Sequence, residues 1–207
     1  ERKLLHYWSF DEEEGTTIYD QVETGTVDLE LLTFELSDEN RSQWGTKGRA
    51  IRFESNETFG SSGTMIPSFP YTVSLWLKPD QDNDFKFEGL LVGGNNLESK
   101  HTSPLKREFN YSSSGDVQRS TIHNPWAHIA IVANSATNGS LYVDGLQNSI
   151  SECVTGNFWP IDFSGLLDEM YVYSKAMTEA QVKAMAGRVF LDLSGNKLPA
   201  VPIGPDF

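Results

Sequence analysis

The alternation of apolar and polar positions is sharpest between Trp126 and Leu146, WAHIAIVANSATNGSLYVDGL, and predicts a β-hairpin followed by a second tight turn. In its first run Trp126, His128, Ala130 and Val132 fall on one face, and Ala127, Ile129, Ile131 and Ala133 on the other. Neither face is polar enough for water, so this strand is expected in the middle of a sheet. Asn138-Gly139 and Asp144-Gly145 tolerate positive φ and are read as the two reversals, before and after Leu141-Tyr142-Val143. A meander of antiparallel strands follows.

The same pattern recurs along the chain. Leu4–Phe10, LLHYWSF, suits a strand with apolar groups on both faces. Asp11, Glu12, Glu13 and Glu14 then stack ahead of Gly15, a cluster tolerable in water or around a cation. Val27, Leu29, Leu31 and Thr33 alternate against Leu32, Phe34 and Leu36. Two glycines, Gly45 and Gly48, lead into a short strand at Ala50–Phe53. Tyr71–Lys78, YTVSLWLK, places Val73, Leu75 and Leu77 on a core face and Thr72, Ser74, Trp76 and Lys78 on a partly open one.

Gly89–Gly94 reads as a short buried strand, and residues 95–124, polar and Ser-rich, as variable loops with short strands. Gly165–Tyr173 is a further strand. Thr178-Glu179-Ala180-Gln181 is a capping box ahead of Val182, Met185 and Ala186 at helical spacing, with Gly187 as the stop. The tail LDLSGNKLPAVPIGPDF reads as an extended linker over 191–207.

Several of these blocks carry a resemblance. WxH opening an apolar strand, a gap and then LYVDG is similar to the central signature of the laminin-G-like members of the concanavalin A-like lectin and glucanase superfamily. YWSFDEEEGTTIYD, ending at Asp20, resembles that family's opening strand and loop, and YTVSLWLKP its central strand. GLLDEMYVYSKAMTEAQVKAM resembles its closing strand and helix. The Gly-Asn-Gly-rich segment usual in the family is not reproduced. The resemblance covers about residues 4–190 and implies one domain over 1–190: an all-β jelly-roll sandwich of two antiparallel sheets with one short C-terminal helix. It also implies that Asp11 and Asp168, from the exit of the first strand and from the last strand, approach one another and bind a structural Ca²⁺ with backbone carbonyls.

Composition narrows the function classes. At 207 residues, 38% hydrophobic and 12% aromatic, the chain can bury a sizeable core as a single all-β domain. A formal net charge of -13 without a Lys/Arg cluster argues against nucleic acid or an anionic membrane as partner. No apolar run is long enough to insert into a membrane. The chain begins at Glu1 and is expected to be a processed or excised piece of a larger protein. Its one cysteine, Cys153, cannot form an intramolecular disulfide and reads as a small half-buried thiol. Asn-x-Ser/Thr acceptors at Asn40, Asn56, Asn110 and Asn138 hint at the secretory pathway.

Catalytic signals are weak. A glycosidase needs two carboxyl groups aimed into one cleft, and the nearest acids are Asp28, Glu30, Glu35, Asp38 and Glu39, none in the strand alternation of the related β-glucanases. No Gly-x-Ser-x-Gly, Cys/His pair or phosphate loop occurs. His128 reads as a core histidine, and His6, His101 and His123 show no ligand spacing. Asp80, Asp82 and Asp84 alternate as in a calcium loop, but Phe85 replaces the turn glycine and Leu91 the bidentate glutamate. The expectation is therefore a non-catalytic, extracellular or cell-surface recognition or adhesion module for a glycan or glycoprotein, joined to other modules. A polysaccharide-cleaving enzyme on the same scaffold and a purely architectural domain are the alternatives.

Overall fold

The computed structural model describes residues 4–23, 26–37, 42–80, 85–88, 97–103, 106–111, 116–120, 126–150 and 152–187. Its largest sheet is eight-stranded and antiparallel. At its centre β7 (Tyr71–Pro79) lies between β12 (Ala127–Ser135) and β16 (Gly165–Tyr173). Beyond β12 follow β13 (Asn138–Val143) and β14 (Leu146–Ile150), the meander expected from the sequence. The far edge of β16 is shared: β5 (Arg49–Phe53) pairs with Gly165–Leu167 and carries β4 (Ser42–Trp44), while β1 (Leu4–Trp8) pairs with Met170–Tyr173. The first and last strands thus lie side by side, and a loop between β4 and β5 approaches both.

The opposing strands form two smaller antiparallel sheets. One is β2 (Thr17–Ile18), β3 (Leu29–Leu31) and β6 (Phe59–Ser61). The other runs β11 (Asp116–Ser120), β10 (Lys106–Tyr111), β9 (Leu97–Ser103), β8 (Phe85–Glu88) and β15 (Trp159–Ile161). Residues 97–120 therefore hold longer strands than their polar sequence suggested, because a backbone ladder needs alternate hydrogen bonds rather than apolar side chains. The Asp80-x-Asp82-x-Asp84 loop beyond Asp80, Gly89–Gly94, Asp38, Glu39, Asn40, His123 and the tail lie outside the described residues.

Leu75, Ile129, Ile131 and Leu167 of the large sheet meet Ile18, Leu29 and Phe59 of the three-stranded one in a single core. Burying each such side chain stabilises by about 1.5–3 kcal/mol. Phe53 stands edge-on to Phe34 and Phe59, with ring centroids 5.2 and 6.1 Å apart, an arrangement favoured by the aromatic quadrupole.

The outer face of the large sheet is also covered. Helix α1 (Glu179–Ala186) starts at Thr178, whose side chain and that of Gln181 cap each other's backbone N–H groups as the sequence predicted. Its Val182 packs on Ala130, Val132, Tyr142 and Tyr173. This explains why β12 is apolar on both faces. The outward face of β7, expected to be partly open, is buried from Thr72 to Trp76 and half-open at Lys78: Thr72 Oγ1 donates to Lys175 O and accepts from Met177 N, and Ser74 Oγ lies 2.9 Å from His128 Nε2. Pairing those hydroxyls removes the cost of taking them out of water.

One turn differs from its sequence expectation. The β12–β13 reversal falls at Ala136-Thr137, and Asn138-Gly139 lies inside β13. Gly139 is needed there for space: a Cβ would sit 2.5 Å from Cys153 Sγ and 2.9 Å from Val132 O. Asp144-Gly145 is the tight turn expected, with φ of 50° and 79° at its two central residues.

Candidate functional site

Asp11 and Asp168 act on the same segment, the Gly45–Arg49 loop that joins β4 to β5. Asp168 Oδ2 accepts from Thr46 N and Thr46 Oγ1, each at 2.5 Å, and from Lys47 N at 3.3 Å. Asp11 Oδ1 accepts from Arg49 N at 2.6 Å. The loop closes on itself through Gly45 N donating to Gly48 O, and Gly48 has φ of 70°. A Cβ on Gly48 would fall on Asp11 Oδ1, and one on Gly45 would meet Arg49 O and lie 2.6 Å from Asp168 Oδ2. The two glycines thus let the carboxylates of Asp11 and Asp168 approach the loop backbone where a side chain would block them.

Asp168 is fully buried, and its Oδ1 has no hydrogen-bond partner among the described residues. Burial pushes its carboxyl up to about 7, against the lowering effect of the Thr46 and Lys47 donors. An unmatched buried oxygen of this kind suits a cation. Among the described residues, however, no cluster of three His, Cys, Asp or Glu side chains is placed to hold one, so backbone carbonyls would have to complete the shell.

Next to this loop, Glu169 accepts from both Tyr7 and Tyr171 hydroxyls, whose rings stack at 4.5 Å and 5°. Burial and the glutamate charge push both phenols well above their ordinary range. Lys47 Nζ lies 3.6 Å from Glu169 and 5.5 Å from the Tyr7 ring centroid. Asp20 is structural: it takes His6 Nδ1 at 2.7 Å and the backbone N–H groups of Tyr7, Val22 and Val27 at 3.1 Å.

Among the described residues, the other candidate acids do not converge on a cleft. Asp28 Oδ1 accepts from Asp20 N, Glu30 from Thr17 Oγ1, and Glu35 is exposed. Asp80 Oδ2 takes Arg52 at 2.6 Å and Ser164 Oγ at 2.8 Å. His128 is wholly buried against the Trp76 ring, and burial pulls its imidazole down to about 3. Cys153 is buried, its thiol pushed up to about 11 by desolvation. Neither suits surface chemistry.

An open groove of about 330 Å³ lies elsewhere, where β6 and β15 face each other across the break between the two smaller sheets. Phe59 and Phe158 form its base, Leu32 and Trp159 its apolar walls, and Thr58, Ser61 and Asn157 its polar margin. One end is pinned: Ile66 and Gly156 exchange two backbone hydrogen bonds, and Asn157 Oδ1 accepts from Met65 N at 2.8 Å. Sequence reading missed these residues, because Leu32 and Trp159 signal a groove only once β6 and β15 are seen to face each other.

This arrangement has known relatives. The model of the concanavalin A-like lectin/glucanases superfamily matches residues 48–183. The chain belongs to that superfamily. No curated protein matches it. Among solved structures, this superfamily member is similar to domain 4 of AbnA, an extracellular arabinanase from Geobacillus stearothermophilus, in complex with arabinotriose: 20% identity, 89% of this chain and 98% of that one, TM-score 0.56. It is also similar to Trypanosoma rangeli sialidase (12% identity, 92% of this chain, 33% of that one, TM-score 0.61). A third is the binding domain of Botulinum Neurotoxin DC in complex with SialylT (11% identity, 90% and 51%, TM-score 0.60). The chain thus spans about a third and a half of the latter two. At these identities the likeness is one of fold, and it bears out the jelly-roll sandwich.

Proposed function

We propose that this domain is a non-catalytic recognition module that binds carbohydrate, free or on a glycoprotein, within a larger secreted or surface protein. The observation that carries this reading is the open groove between β6 and β15, walled by Trp159 and Leu32 and edged by amide and hydroxyl groups. Sugars present apolar C–H faces and polar edges, and such a surface matches both. The superfamily and the similar domains solved with arabinotriose and SialylT support a glycan as partner.

Hydrolysis would require two carboxyl groups at fixed separation in a cleft, and the described acids are engaged or dispersed. Extracellular placement is supported by Asn56 and Asn138, sequon asparagines exposed in or beside turns, where a glycosyltransferase can reach them. A structural Ca²⁺ on Asp11 and Asp168 belongs to the same proposal, supported by the unmatched Asp168 Oδ1. It would neutralise buried charge and tie the β4–β5 loop to the first and last strands.

A glycan array, run with and without calcium, tests the recognition reading together with a reducing-end assay on β-glucans, alginates and galactans. Retention of glycans without turnover is expected. Turnover abolished by Glu35→Gln or Asp38→Asn would replace this reading by an enzyme, and neither binding nor turnover would leave an architectural domain.

A further inference from the structure

We propose that the β6–β15 groove selects a neutral sugar unit, its apolar face laid on the Trp159 indole, and discriminates against acidic sugars. This site rests on the recognition function proposed above and adds its place and its charge class. Trp159 is 37% exposed and Leu32 63%, so two large apolar groups of the groove's lining stand open to water. Water leaving them on ligand binding supplies the driving force.

The polar margin is arranged for hydroxyl groups. Asn157 Oδ1 is occupied by Met65 N, which fixes the amide and leaves Nδ2 as its donor side. Ser61 Oγ donates to Gly63 O at 2.8 Å, leaving its lone pairs to accept. Donor and acceptor on one rim match a sugar hydroxyl, which both gives and receives.

Charge sets the selectivity. Among the described residues, none of the side chains lining the groove is cationic, and Glu30 sits opposite Gly60 in the β3–β6 register on the exposed face. A carboxylate or sulfate on the ligand would lose water with no compensating cation, in the field of a chain of net charge -13. The volume, about 330 Å³, lies at the low end for small-ligand sites and suits a short saccharide.

Gly60 makes a clean test possible. It has no left-handed backbone, and a Cβ there would make only ordinary contact with Leu32, at 3.6 Å. Gly60→Leu should therefore fill the groove without unfolding the domain, and Trp159→Ala should remove the platform. Titration calorimetry with cellotriose, xylotriose and galactotriose, against sialyllactose, should show binding of at least one neutral trisaccharide and a preference over the sialylated one. Each variant should lose about tenfold or more in affinity with Tm close to wild type. In nitrogen-15 spectra the Trp159 indole and Asn157 amide signals should move during the titration. Binding that both variants retain would overturn this site while leaving glycan recognition intact. A preference for sialyllactose would overturn the charge assignment, and no saccharide binding to wild type would overturn the recognition function with it.

Discussion

Gly139 passes so close to Cys153 that a β-carbon at position 139 would lie 2.5 Å from the sulfur. The hairpin edge and the segment after β14 are thereby packed backbone to side chain. Gly139→Ala should destabilise by about 1–3 kcal/mol through overpacking. Cys153→Ala should restore part of this in the double variant, the remainder being the contact with Val132 O. Urea denaturation of the four proteins in the cycle measures the coupling, and strict additivity would show that the contact is not the cause.

His128 should make the domain acid-labile. Its folded-state value, about 3, lies below the ordinary histidine value, so between the two the unfolded chain binds a proton that the folded one refuses. The stability associated with neutral His128 is complete above about 6.5 and is lost as pH falls toward 3, at up to about 1.4 kcal/mol per pH unit. Denaturation midpoints of wild type and His128→Gln from pH 7 to about pH 4 should converge as pH falls. Parallel curves would remove His128 as the source.

Asp20→Ala should cost about 3–5 kcal/mol, because it strips His6 and the Tyr7, Val22 and Val27 N–H groups of one shared acceptor. Asp20→Asn, which keeps an acceptor oxygen, should cost less. Tm differences between the two variants check this order.

Calcium should stabilise the wild type. For an extracellular-type affinity of about 10⁻⁴–10⁻³ M, 10 mM calcium adds roughly 1.4–2.7 kcal/mol by mass action. Asp168→Asn and Asp11→Asn should lose this increment, although the first also disturbs Thr46. Equal Tm for wild type in EDTA and in calcium would dismiss the ion.

Much of the fold was legible because local pattern and turn chemistry agreed. β12, β16 and the Thr178 capping box each carry period and punctuation in the same few residues. Gly139 was misread as a turn residue because its reason lies in Cys153, a contact across the fold that no local pattern encodes. The resemblance points to Asp11 and Asp168, and each accepts backbone N–H groups from the segment between β4 and β5, Asp168 at Thr46 and Lys47 and Asp11 at Arg49. What the sequence left unseen is the Gly45–Arg49 loop between them, whose backbone N–H groups carry no residue-type signature. The groove was illegible for a related reason: Leu32, just past β3, and Trp159, which opens β15, are far apart in the chain, and their two sheets share no ladder.

That broken ladder has a thermodynamic consequence. The walls of the groove belong to separate hydrogen-bonded sheets, joined near one end by the Ile66–Gly156 bridge. Side-chain changes at Leu32 and Trp159 should therefore contribute nearly independently to unfolding free energy, since strain on one wall has no ladder through which to reach the other. Ligand affinity behaves differently, because a sugar touching both walls couples them. Selection on such a site can exchange one wall at a time with little penalty to the fold, while each exchange changes what the opposite wall is worth.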